Sequence, residues 1–229
     1  MISLCIETAT ARVGVALTQN GKLLVETLLD APGGRQTALL MPELQRLLSA
    51  CNLTAHQIDL FACAVGPGSF TGVRTGIAAT QGLALACGKP CTGVSTLTML
   101  AMNLPHAAYQ VCPMLDARKN EVYTALYHVS DYPETIIPDC LKSPADFLIT
   151  LTGPTIFLGD GALRYRELIQ QTLGDKAHFA PLPLHVPRPS AGCLLAEKTF
   201  PYGAVVAPEL LLPSYMRLSE AELSRQQKI

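Results

Sequence analysis

The sequence is short of charge. Asp, Glu, Lys and Arg make up 15% of its 229 residues, and the formal net charge is −1, where globular chains usually carry about 25% charged residues. With 49% apolar residues, the composition excludes a disordered chain, which would be rich in charge and poor in apolar side chains. The deficit implies little exposed surface or a surface partly covered by a partner. There is no basic excess, and broad nucleic-acid binding needs clustered Lys and Arg to neutralise phosphates. Any role with nucleic acid is expected to run through a partner.

Metal and disulfide patterns are also missing. Eight cysteines (Cys5, Cys51, Cys63, Cys87, Cys91, Cys112, Cys140 and Cys193) include no CxxC pair and sit mostly in apolar runs. They read as buried, reduced thiols of a cytoplasmic protein rather than a zinc site or disulfide framework. The five histidines form neither HxxxH nor HExxH, so no metal site is expected. The most apolar helical stretch, 73–87, is short and holds Arg74 and Gln81, so no membrane association is expected. The first residues lack a basic run and reach Glu7, unlike a signal peptide.

What is present is an α/β pattern. Segments 3–7, 12–18 and 22–29, with Asn20-Gly21 as a hairpin signal, predict a three-stranded meander. Helical spacing over 36–51 predicts a helix that Pro42 bends or delays. A strand over 58–65, a helix to about 87, a strand over 91–94 and a helix to about 103 follow, giving β-β-β-α-β-α-β-α. The pattern restarts after Pro105, which divides the chain into subdomains 1–104 and 105–229. Leu4-Cys5-Ile6-Glu7 aligns with Pro113-Met114-Leu115-Asp116 at an offset of 109; Val13 then meets Val122, Ala16 meets Ala125, and Leu17 meets Leu126. The alignment predicts two similar α/β halves facing a cleft, with Glu7 and Asp116 at matching strand ends. Later come a strand before Gly159-Asp160-Gly161, helices over 163–173 and 191–200, a proline-rich connector over 181–189, a final edge segment over 209–216 and a polar, frayed tail from Ser219.

The chemistry-bearing candidates are few. Gly66-Pro67-Gly68-Ser69-Phe70-Thr71-Gly72 joins a strand to a helix, where amides could receive phosphate. It matches neither the P-loop nor the dinucleotide fingerprint. The favoured reading is that Gly72 and Gly76, on one face with Thr80 and Leu83, admit another helix closely. Ser69 caps the helix or contacts a nucleotide, and it lacks the GxSxG nucleophile pattern. Glu7 and Asp116 each cap a turn, or together hold a hydrated Mg2+ beside a nucleotide; Arg118 and Glu121 pair locally. The two helices, with Leu39, Leu40, Leu44 and Leu47 on the first and Gly72, Arg74, Gly76, Thr80 and Leu83 on the second, are apolar on more than one face. Such helices are buried or form an interface.

At these residues the chain resembles the bacterial TsaB (YeaZ) family, sometimes labelled glycoprotease-like. The resemblance rests on Gly66-Pro67-Gly68-Ser69-Phe70-Thr71-Gly72-Val73-Arg74, Gly82-Leu83-Ala84, Gly93-Val94-Ser95-Thr96-Leu97, Asp116-Ala117-Arg118 with Glu121-Val122-Tyr123, Gly159-Asp160-Gly161 and Pro213-Ser214-Tyr215-Met216-Arg217. It implies an actin-like, ribonuclease-H-like (ASKHA) fold of two α/β subdomains with mixed sheets. It implies a non-catalytic subunit for N6-threonylcarbamoyladenosine formation at position 37 of tRNAs reading codons that begin with A. The implied partners are the transferase TsaD, paired through the two helices, the ATPase TsaE, and a second copy of the chain; tRNA is engaged indirectly. No intrinsic cofactor is implied, and ATP or ADP with Mg2+ enters only in the assembled complex. Two departures stand out: Glu7 replaces the family's usual Asp, and Gln36 occupies a position where many members have His. The rival readings are an ATPase or small-molecule kinase using the cleft, and an acyl hydrolase or protease acting through Ser69.

Overall fold

A computed structural model describes residues 1–217; the tail from Ser219 lies outside them. Strands β1 (Ile2–Glu7), β2 (Arg12–Gln19) and β3 (Lys22–Asp30) form the expected meander. Asn20 and Gly21 both take positive φ at its second turn, the conformation a tight hairpin demands and Gly supplies at no steric cost. Helix α1 (Gln36–Ala50) runs through Pro42. Strand β4 (Leu60–Gly66), helix α2 (Phe70–Cys87), strand β5 (Cys91–Ser95) and helix α3 (Thr96–Ala101) complete the first half. The sheet order is β3-β2-β1-β4-β5, antiparallel through the meander and parallel from β1 to β5.

The second half repeats this plan. Its elements are β6 (Gln110–Asp116), β7 (Val122–Val129), β8 (Pro133–Lys142), α4 (Pro144–Leu148), β9 (Thr155–Leu158), α5 (Asp160–Arg164), α6 (Arg166–Leu173), β10 (Ala177–Phe179) and α7 (Pro189–Thr199). The order β8-β7-β6-β9-β10 is that of the first sheet, element for element. The internal similarity is therefore one of topology, with β6 matching β1.

The register differs by one residue from the expected alignment. Glu7 pairs with Gly14, seven positions on, whereas Asp116 pairs with Val122, six positions on. The offset of 109 between β1 and β6 thus becomes 108 between β2 and β7, and the matching of Val13 to Val122 is out of register. The reason is physical: β2 is buried along nearly its whole length, because α1 packs on one face and α7 on the other. A strand buried on both faces is apolar at every position, so its sequence carries no alternation to fix the phase.

Three further expectations change. The chain leaves the first sheet after α3, yet α7 returns to pack on β1, β2 and β4, placing Cys193, Leu195 and Ala196 in the first core. Residues beyond 105 thus complete the first half. The helix expected over 163–173 is two helices, α5 and α6, meeting at Tyr165. The edge segment over 209–216 is not a strand: Val206 alone bridges Cys91 at the β5 edge, and Pro208–Leu210 forms one 3-10 turn. Pro208 and Pro213 remove the donors a ladder would need.

Helix α3 joins the halves, with Met99 in the first core and Leu97 and Leu100 in the second. Ser95 caps it and also donates to Asp139 of β8 at 2.5 Å, while Tyr127 of β7 donates to the same carboxylate at 2.7 Å. All eight cysteines are free thiols, five of them buried, and burial pushes Cys63 and Cys112 up to about 12.

The return of α7 depends on Gly192, where an added Cβ would lie 2.4 Å from Cys5 Sγ and 2.6 Å from Met99 Cε. Gly192→Ala is expected to lower the free energy of urea unfolding by about 1–3 kcal/mol through overpacking. Gly82→Ala, at an exposed position with nothing nearby, is expected to raise it by roughly 0.5–1 kcal/mol.

Candidate functional site

The glycine-rich loop and the β1–β2 turn fit into each other. Ser69 N–H donates to the Ala9 carbonyl at 2.7 Å, and the Thr8 hydroxyl donates to the Gly72 carbonyl at 2.7 Å. A Cβ on Gly68 would sit 2.3 Å from the Ala9 oxygen, and one on Gly72 only 1.9 Å from the Thr8 oxygen. Gly76 meets the Thr8 hydroxyl at 2.6 Å in the same way. These glycines admit the chain's own turn, not another helix, which corrects the expected role of Gly72, Gly76 and the buried Thr80. Ser69 caps α2 by accepting from Gly72 N–H at 3.3 Å. At the helix start, where a phosphate could have bound, one amide faces Ala9 and another faces Ser69.

Glu7 is fully buried. Its carboxylate accepts from Thr10 N–H at 3.1 Å and from the Thr10 hydroxyl at 2.9 Å. Burial nevertheless outweighs these bonds and pushes its pKa up to about 7. Asp116 occupies the matching strand end but a different setting: it accepts from Arg118 N–H at 3.0 Å and pairs with Arg118 at 3.1 Å and Arg164 at 2.7 Å. Asp160 in turn accepts from Asp116 N–H at 3.0 Å. Both carboxylates close turns: Glu7 with Thr10 and Asp116 with Arg118. Among the described residues, no three of His, Cys, Asp and Glu group closely enough to hold a metal.

The two helices split the expected interface residues into two sets. Leu40, Leu44 and Leu47 lie in the chain's own core, as do Gly72, Gly76 and Thr80 on α2, so none is presented to a partner. Leu39 and Leu83 are half-buried and Arg74 is exposed. A groove of about 560 Å³ runs between the helices, with Met41, Phe70, Thr75 and Ala78 on its walls. Met41 is 50% and Phe70 37% exposed, an apolar surface on both helices. The apolar count of each helix gave no way to separate its core stripe from this outer one, so Met41, Phe70 and Ala78 were not among the expected interface residues.

Beside the groove lies a larger cavity of about 670 Å³. Gly66–Gly68 and α2 form one side, the turn after Asp116 the second, and the strap 214–217 the third. The strap is pinned at both ends: Ser214 N–H donates to the Val65 carbonyl at 2.8 Å, and Arg217 donates to the Ala117 carbonyl at 2.7 Å and pairs with Glu121. Tyr215 stacks on Phe70 with centroids 5.0 Å apart, and Arg74 lies 3.7 Å over the Phe70 ring while donating to the Tyr215 hydroxyl at 2.6 Å. The expected Arg118 to Glu121 pairing is replaced, since Arg217 takes Glu121 and Arg118 takes Asp116.

The model of the family described as TsaD, tRNA N6-adenosine threonylcarbamoyltransferase, matches residues 35–224. The chain is 31% identical over 226 residues to the tRNA threonylcarbamoyladenosine biosynthesis protein TsaB of Bacillus subtilis (strain 168), covering 97% of this chain and 96% of that protein. It is 31% identical to the TsaB of Escherichia coli (strain K12), covering 93% and 94%. The structure of YeaZ from Pseudomonas aeruginosa superposes with a TM-score of 0.80 at 28% identity, covering 93% of this chain and 99% of that one. A ROK hexokinase from Thermus thermophilus, at 11% identity and a TM-score of 0.51 over 89% of this chain and all of that one, shares the actin-like fold.

The buried Glu7 generates a pH dependence. Between its ordinary 4.5 and the folded value of about 7, the folded state binds more protons than the unfolded, so stability is fully present below 4.5 and is lost as pH rises through 7. Relative to Glu7→Gln, the chain is expected to lose on the order of 3 kcal/mol between pH 4.5 and pH 8, read from urea unfolding at both.

Proposed function

The chain belongs to the TsaB (YeaZ) family, and from that membership we propose that it serves N6-threonylcarbamoyladenosine formation in tRNA as a non-catalytic subunit. In this reading it activates a TsaD-type transferase by packing the exposed face of α1 and α2 against it. The supporting observation is the apolar groove between the helices, where Met41 and Phe70 stay exposed although the chain has a full core of its own. Large apolar surface rimmed by polar residues is what an interface buries. The groove also accounts for the low charge without any basic face for tRNA, which reaches the complex through other subunits. A TsaE-type ATPase joins the assembly there, with ATP or ADP and Mg2+, in the cytoplasm. A second copy of this chain takes the same helix face when the transferase is absent. Among the described residues no helix is long and apolar enough to cross a membrane.

The kinase or ATPase alternative would need carboxylates open to a metal in the cleft. Glu7 and Asp116 are instead engaged by Thr10 and by two guanidinium groups, which favours the subunit reading. The hydrolase alternative would need an activated Ser69, whose hydroxyl instead accepts from Gly72 N–H.

Both exposed positions can be tested directly. Met41→Glu combined with Ala78→Glu is expected to abolish co-elution with a TsaD-type subunit on size exclusion while leaving the circular dichroism spectrum unchanged. In cells lacking the native gene, this variant should fail to restore the modified nucleoside measured by mass spectrometry. Undiminished co-elution would refute the helix-pair assignment.

A further inference from the structure

Helices α1 and α2 carry three charged side chains between them, Glu43, Arg46 and Arg74. Two of these satisfy each other: the buried Glu43 carboxylate accepts from Arg46 Nε at 3.1 Å and from a terminal nitrogen of the same guanidinium at 2.5 Å. Arg74 is the charge left over. It is exposed, its Nε donates to the Tyr215 hydroxyl at 2.6 Å, and its two terminal nitrogens have neither a hydrogen bond nor a carboxylate among the described residues. It is also the one charged residue on the walls of the groove between the helices, which are otherwise apolar or hydroxyl-bearing.

The guanidinium is held from two sides. It lies 3.7 Å over the Phe70 ring, and the strap that supplies Tyr215 is anchored on the Val65 and Ala117 carbonyls. A fork already fixed in place loses little further freedom when its free nitrogens take a carboxylate, the planar pairing in which Arg binds most strongly. Covering the groove without supplying that carboxylate would leave a desolvated cation unpaired, which is strongly unfavourable. A second copy of the chain has nothing to supply. Its matching face brings another Arg74, and the one carboxylate on its two helices, Glu43, is committed to Arg46.

We propose that Arg74 is the ionic anchor of the helix face, pairing with a carboxylate on an otherwise apolar surface of the TsaD-type subunit, and that the same charge disfavours self-pairing. The face therefore selects the transferase over a second copy, by attraction to one and by an unpaired cation against the other. This inference rests on the helix-face reading and adds the chemistry that chooses its occupant.

The test is calorimetric titration of the purified full chain with the TsaD-type subunit at about 0.05 M and about 0.3 M NaCl, a range over which screening of a charge pair changes strongly, with sedimentation equilibrium of the chain alone. Arg74→Met keeps an apolar stem over Phe70 and removes the charge. It is expected to bind the transferase at least about tenfold more weakly at low salt, with a flatter salt dependence, while self-association stays equal or tightens. Arg74→Lys keeps the charge and should keep the salt dependence. Tyr215→Phe removes the strap's bond to Arg74 but not the cation, so its salt dependence should match that of the unmodified chain; a flattening equal to that of Arg74→Met would mean that Arg74 serves only to hold the strap, and would overturn the proposal. Unchanged affinity and salt dependence in Arg74→Met, or self-association weakened as much as transferase binding, would also overturn it. If Met41→Glu with Ala78→Glu abolishes co-elution while Arg74→Met behaves as the unmodified chain, the anchor alone fails. If both variants leave association intact, the helix-face reading fails with it.

Discussion

The interlock between the β1–β2 turn and the start of α2 is the constraint on which the first half depends. Backbone meets backbone there: the Ala9 carbonyl takes Ser69 N–H, and Gly68 and Gly72 have no room for a Cβ against Ala9 and Thr8. Glycine is the only residue that permits so close an approach. The interlock fixes how α2 lies over β1 and β4, buries Glu7 beneath the turn, and orients Phe70 and Arg74 outward. The groove and the cavity both take their walls from that placement.

The second half uses the same device. A Cβ on Gly159 would lie 2.2 Å from the Met114 oxygen, and one on Gly161 would meet the backbone of Leu115 and Asp116. In each half, a glycine loop after the fourth strand closes on the end of the first. What the two copies do with the carboxylate there has diverged. Glu7 is sealed in, its charge opposed by burial, while Asp116 sits near the cleft and gathers Arg118 and Arg164. The longer Glu side chain reaches back to Thr10 and closes its own turn.

Much of the fold was legible from the chain alone. The meander followed from alternation and the Asn20-Gly21 turn, α1 and α2 from helical spacing, and the repeat from the strand-end carboxylates. Three of the misreadings share one cause: each concerned a segment covered by neighbours that lie far away in sequence. The phase of β2 against β7 was lost because both faces of β2 are covered. The return of α7 was invisible because a helix apolar on several sides, with Gly192 and Cys193 turned to β1, resembles any buried helix. The buried glycines of α2 were assigned to a partner helix because small residues at helical spacing look alike whether they face a helix or a turn.

The sequence by itself determined the element order of the first half, the existence of a repeat and the family, because each is written in local spacing and in residues with narrow conformational roles. Only the tertiary structure decided which apolar residues remain outside, since core and interface leucines are chemically identical until packing separates them. It also decided where charge collects. A net charge of −1 says nothing about whether basic residues drawn from 74, 118, 119 and 217 will meet around one cavity, as they do where α2, the turn after β6 and the strap come together.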